Sequence, residues 1–184
     1  NPGTYTACGN IPAKGDQKAY NYTFDSDDEG WTTGFADLPV NWTQDLYELE
    51  AGFRVLPTGL VGNGIYLQGH NRSDDLFMFL SRQVSGLKPL TEYQVAVQLD
   101  LGTNVPGGLF GIGGSPGSSV FVKVGASTRE PEVVDDGTGQ LRISIDKGNQ
   151  ARDGSEMVTI GNVEREEVVD EEYRIKSLDN SFSP

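Results

Sequence analysis

Apolar and polar side chains alternate with a period of two along most of this chain. Tyr20, Tyr22 and Phe24 fall on one side of an extended segment, with Asn21 and Thr23 on the other. Tyr47, Leu49, Ala51, Phe53 and Val55 repeat the pattern against Glu48, Glu50 and Arg54. The longest run sets Tyr93, Val95, Val97, Leu99 and Leu101 against Gln94, Gln98 and Asp100. Shorter runs follow at Val120–Val124, Leu141–Ile145, Met157–Ile160 and Tyr173–Ile175. Such alternation is what a half-buried antiparallel strand requires. Leu76 to Leu80 is apolar on both sides, which predicts a mid-sheet strand with both faces covered. No stretch of a dozen residues carries a 3.6-residue apolar stripe.

Twenty-four glycines and nine prolines fall largely between these runs, where turns need them. Many short strands punctuated in this way predict an all-β fold, a two-layer antiparallel β-sandwich, in place of an α/β arrangement. The 184 residues suit one domain large enough to hold a core without disulfides. Residues 1–17 read as a flexible arm and 18–184 as the sandwich domain. The segment 102–117 is the one long glycine-rich loop, a common place for binding residues.

Charge narrows the function. A formal net charge of −13 disfavours nucleic acid and anionic membrane as partners. No apolar run is long enough for a transmembrane helix. Cys8 is the single cysteine, so no internal disulfide forms; it is either an anchoring residue or an incidental thiol. Cysteine avoidance elsewhere fits an extracellular, periplasmic or surface-attached location. Sequons at Asn21, Asn41 and Asn71 are explained by chance in a chain rich in serine and threonine.

Catalytic motifs fail on chemistry. Gly113-Gly114-Ser115-Pro116-Gly117 matches the nucleophile elbow in outline, but Pro116 has no N–H for an oxyanion hole and no helix follows. The pair Gly111 and Gly113 lacks the third glycine of a dinucleotide loop. His70 is the sole histidine, which excludes multi-histidine zinc chemistry. Paired acids are plentiful and therefore uninformative. The chain reads as non-enzymatic.

Asp25, Asp27 and Glu29 place oxygens at alternating positions ahead of Gly30, like the first half of a calcium loop. The twelfth position is Ala36, so a full EF-hand is excluded. A structural calcium here competes with the reading of a solvated acidic turn. The acidic run Glu164–Glu172 reads as a solvated face, with a second cation site as the alternative. Among the aromatics, Trp31 beside Gly30 belongs to the core, whereas Trp42, Tyr66 and Phe110 are candidates for stacking on a ligand.

Three marks resemble one family. Gly86-Leu87-Lys88-Pro89-Leu90-Thr91-Glu92-Tyr93 resembles the corner that opens a strand in extracellular sandwiches, where the tyrosine hydroxyl bonds backbone upstream. Phe24-Asp25 with Gly30-Trp31 resembles the opening of galactose-binding-domain-like jelly rolls, and Val120–Ala126 a later core strand of such modules. This resemblance to carbohydrate-binding-module-like β jelly rolls of secreted bacterial proteins spans residues 20 to 126. It implies a non-catalytic module that binds polysaccharide or other glycan, with contacts at Trp42, Tyr66, His70, Asn71, Arg72 and Phe110. The other reading is a structural or adhesion domain without a small ligand. Jelly rolls close with a further strand after the one near Tyr173–Leu178, so the chain either closes differently or stops short at its C-terminus.

Overall fold

A computed structural model describes residues 17–72, 75–111, 114–165 and 170–180. Residues 1–16 with Cys8, and the last four residues, lie outside them. The described residues hold thirteen strands and one helical turn, so the all-β expectation is met. In chain order these are β1 (Thr32–Ala36), β2 (Leu38–Pro39), α1 (Gln44–Tyr47), β3 (Glu50–Val55), β4 (Asn63–Gln68), β5 (Phe77–Ser81) and β6 (Gln98–Thr103). There follow β7 (Val105–Pro106), β8 (Phe121–Gly125), β9 (Val133–Asp135), β10 (Gln140–Ile143), β11 (Met157–Asn162), β12 (Glu164–Arg165) and β13 (Arg174–Asp179).

The ladders are short and mostly antiparallel: β1–β5, β3–β4, β6–β13, β8–β11 and the three-stranded β2–β10–β9. One two-residue pair, β7–β12, is parallel. Two local hairpins, β3–β4 and β9–β10, lie inside longer-range pairs. The β9–β10 turn shows why the sequence folds as it does. Asp135 Oδ1 accepts the Gly137 N–H at 2.8 Å, Asp136 Oδ1 accepts the Thr138 N–H at 2.7 Å, and Gly137 and Gly139 take φ of 77° and 92°. Aspartate thus replaces backbone partners in a turn whose glycines carry positive φ.

Several predicted strands are shorter or absent. Residues 20–24 form no strand, because Phe24 turns to a φ of 54° and Glu29 Oε1 takes the Thr23 and Phe24 amides at 3.0 and 2.9 Å. Tyr22 instead packs edge-on against Trp31 at 5.2 Å, with the Arg82 guanidinium 4.6 Å from its ring. Trp31, expected in the core, is half-buried and not among the best-buried side chains. The run from Tyr93 becomes a strand only at Gln98. Before that, the side chain of Asn180 stands in for a partner strand, accepting the Val97 N–H at 2.7 Å and donating to the Val95 carbonyl at 2.9 Å. From Val97 to Leu101 the predicted alternation of covered and exposed side chains holds. β5 has one ladder partner, β1, and is half-buried throughout, so it is not a mid-sheet strand. The expected tyrosine corner is present: the Lys88 N–H donates to the Tyr93 hydroxyl at 2.7 Å.

The best-buried apolar side chains among the described residues are Ala36, Leu38, Tyr47, Val124, Ile143 and Leu178. They belong to five strands and α1, and Ala36 and Leu38 enclose the buried Asp37. Phe53 and Val55, predicted to face inward, are exposed on β3.

Candidate ligand-binding surface

α1 is a single turn that begins at Thr43, whose carbonyl accepts the Leu46 and Tyr47 amides at 3.1 Å. Glu48 ends it in the left-handed region at a φ of 49°. A helical turn leaves its last carbonyls unpaired, and the segment 69–72 supplies the donors. The His70 N–H reaches the Tyr47 carbonyl at 2.6 Å, and Arg72 Nε reaches that of Leu46 at 3.2 Å. His70 Nδ1 lies 4.0 Å from the Glu48 carboxylate. Gln68 Nε2, at the end of β4, donates to the Glu48 carbonyl at 3.3 Å. Asn71 Oδ1 accepts the Leu76 N–H at 3.4 Å.

Tyr66 stands on β4 opposite Gly52 of β3. The Arg54 guanidinium lies 3.2 Å from the centre of its ring, and the Tyr66 hydroxyl donates to Gln68 Oε1. Arg54 in turn sits 3.8 Å from Glu50. Trp42 is 36% exposed in the turn between β2 and α1, where its N–H meets the Pro39 carbonyl at 3.1 Å. Of the predicted contacts, His70 and Arg72 are therefore tied to α1, Tyr66 stands on the β3–β4 hairpin, Asn71 bonds Leu76, and Trp42 lies at the helix entry. Phe110, 97% exposed, belongs to the separate loop after β7.

The predicted metal residues are engaged within their own turn, Asp27 and Glu29 by capping backbone amides and Asp25 by a side-chain hydroxyl. Asp25 Oδ2 accepts the Thr23 hydroxyl at 2.9 Å, Asp27 Oδ1 accepts the Glu29 N–H at 2.8 Å, and Glu29 Oε1 holds the two amides described above. Among the described residues, no group of three or more His, Cys, Asp or Glu side chains is placed to hold a metal ion. In the acidic run, Glu166–Val169 lie outside the described residues. Beside them, buried Arg165 meets Asp170 Oδ1 at 2.8 Å and also the Glu172 carbonyl. Ser115 Oγ accepts the Gly117 and Ser118 amides at 3.3 and 3.2 Å, a turn cap; Gly113 lies outside the described residues.

A second charged centre escaped the sequence reading. Asp37, between β1 and β2, is buried at a φ of 58°. Lys147 Nζ lies 2.7 Å and Arg142 Nη1 3.3 Å from its carboxylate. Arg142 also faces Asp136 at 3.6 Å and Asp75 at 3.7 Å. Burial opposes the charge on Arg142, but the hydrogen bond and charge of Asp37, with Asp75 and Asp136, raise its pKa above the ordinary value. Asp37, Asp75, Arg142 and Lys147 line a cleft of about 330 Å³ with Asp146 and Asn149. Asp75 comes to it from the same β4–β5 connection that carries His70 and Arg72. Nothing in period-two alternation marks Asp37; the only signal is the tolerance of aspartate for positive φ.

The loop from Asp146 to Glu156 positions Lys147. Asp146 Oδ1 takes the Gly148 N–H at 3.0 Å, and its Oδ2 takes the Ser155 N–H and hydroxyl at 2.9 Å. The Lys123 ammonium enters from β8 and donates to the carbonyls of Lys147 and Arg152 at 2.7 and 2.5 Å. Burial, followed by the nearby Lys147, lowers the Lys123 pKa against the pull of Asp153 and Asp146. The Ser155 and Gly148 amides lower the Asp146 pKa, the Thr159 amide that of Asp153, and the Ser127 hydroxyl that of Glu156. These carboxyls bind protons less readily in the folded than in the unfolded chain. Their contribution to stability is complete above their unfolded pKa values, about 4, and is lost as pH falls toward the folded ones. The melting temperature should hold level from pH 7 to 5 and drop as pH falls from about 4.3 toward 3. A level curve down to pH 3 would remove this role for the loop.

Comparison of the chain with protein-family models, with curated proteins and with solved structures returns no match. The fold defines a class, an all-β chain of mainly antiparallel ladders. No helix among its described residues is long and apolar enough to cross a membrane.

Proposed function

We propose that this chain is a non-catalytic binding module, a jelly-roll sandwich working outside the cytoplasm, whose ligand is glycan. One observation carries the reading. The loop bearing His70, Asn71 and Arg72 is hydrogen-bonded to the helical turn that follows Trp42, beside the strand that bears Tyr66. An aromatic ring with flanking side-chain donors and acceptors suits a pyranose, whose C–H face is apolar and whose hydroxyls both donate and accept. Exposure of Trp42 and Phe110 favours this reading over a structural or adhesion domain, in which the aromatics would all be buried. A glycan array tests it, with Trp42→Ala and His70→Ala as variants. Wild-type retention with a several-fold loss in either variant supports the reading; no retention on any glycan removes it.

A structural calcium at Asp25, Asp27 and Glu29 is the alternative to this closed turn. To bind it, Asp25, Asp27 and Glu29 would have to exchange their present hydrogen bonds for the ion. Because the turn is already closed by those bonds, we expect superimposable melting curves in chelator and in millimolar calcium. A rise of several degrees with calcium would instead assign the ion to this loop.

A further inference from the structure

A glycine inside a strand packs nothing, and it commonly marks a bulge or the close approach of another backbone or a ligand. Among the described residues six glycines lie in strands, and five are explained by a neighbour. A Cβ would run into the Phe79 ring at Gly34 and the Glu156 carbonyl at Gly125, and would press on the ends of the Leu56, Leu60 and Leu178 side chains at Gly64, Gly102 and Gly161. Gly52 is the exception. A Cβ built on it meets nothing within 4 Å. Its φ is not positive, and the β3–β4 ladder runs one residue against one, without a bulge. Neither backbone conformation nor packing accounts for a glycine here.

The surroundings of this empty position have a definite chemistry. Strand alternation puts Gly52 on the same face as Glu50, Arg54, Tyr66 and Gln68. Tyr66 is its cross-strand partner, and the Arg54 guanidinium lies 3.2 Å from that ring and 3.8 Å from Glu50. We infer that Gly52 is the floor of a slot that seats one neutral pyranose unit. Its C–H face packs on the Gly52 backbone beside the Tyr66 ring, one face of which Arg54 covers, and its hydroxyls meet Arg54, Glu50 and Gln68. This rests on the glycan reading above and specifies the sugar class. Arg54 and Glu50 cancel in charge, and a chain of net charge −13 repels a polyuronate.

The test is affinity electrophoresis of the full chain through gels containing β-glucan, xylan, galactomannan or polygalacturonate. Gly52→Ala and Gly52→Val are run beside wild type, and the melting temperature of each is measured. A β-branched residue suits an open strand position, so Gly52→Val should melt at or above the wild-type temperature while losing at least ten-fold in retention on the neutral polymer. Equal retention of wild type and Gly52→Val overturns the slot but leaves the glycan reading standing. Retention of wild type on polygalacturonate alone overturns the neutral-sugar assignment. A fall in melting temperature of more than about 5 °C in both variants overturns the premise that the position is empty. No retention of wild type on any polymer overturns slot and glycan reading together.

Discussion

Asp37→Asn should be among the most damaging single substitutions in this chain, lowering stability by about 3 kcal/mol. Asparagine keeps the shape of the side chain and tolerates the φ of 58° at this position, so the change isolates charge. What is lost is the anion that holds Lys147 Nζ at 2.7 Å and Arg142 Nη1 at 3.3 Å. Removing one member of a buried pair leaves the other charge without its counter-ion, which costs far more than the pair contributes over apolar neighbours. Arg142 is partly exposed and keeps Asp75 and Asp136. Lys147, mostly covered, bears the loss. For a chain of this length the change corresponds to a fall of roughly 6–12 °C in melting temperature. A fall under 2 °C would show that the centre is held by packing and not by charge.

Gly148→Ala should cost a comparable amount, about 3 kcal/mol, for a different reason. Gly148 takes a φ of 69°, and a Cβ there would run into the Arg152 carbonyl and the backbone of Asp153 and Gly154. The loop cannot widen freely, because the Lys123 ammonium bonds the Lys147 and Arg152 carbonyls on either side of it. Gly137→Ala provides the control. Gly137 has a φ of 77° but nothing within 4 Å of a Cβ, so it reports backbone strain alone, about 1 kcal/mol. The excess of the first loss over the second measures the collision. Gly148→Ala should also displace Lys147 from Asp37. In combination with Asp37→Asn, the double variant should then lose clearly less stability than the sum of the two single losses. Full additivity would separate the loop from the buried aspartate.

The strands were legible where alternation coincides with pairing. Val122 and Val124 lie in β8, Leu141 and Ile143 in β10, and Ile175 in β13, because each run has a ladder partner, although Ile175, predicted to face inward, is exposed. Period two reports extended chain, not a partner. Tyr20–Phe24 and Tyr93–Val97 carry the pattern without the ladder: one is diverted by Glu29, the other served by the side chain of Asn180. Loops 69–72 and 43–48 are joined by His70 and Arg72 donating to carbonyls of a helical turn too short to leave a 3.6-residue signature. Tyr66 was recognisable as an aromatic candidate; its partners Gly52 and Arg54 were not, since their roles depend on the β3–β4 register. Asp37 was hidden because alternation assigns an aspartate between two apolar residues to solvent, whereas its positive φ keeps all three buried.

Amide chemical shifts of the nitrogen-15-labelled chain, titrated with soluble neutral oligosaccharides, address the proposed site residue by residue. The account predicts perturbations centred on Gly52, Arg54, Tyr66, Gln68 and His70. Shifts confined to the loop around Phe110, or no shifts at millimolar sugar, would contradict it.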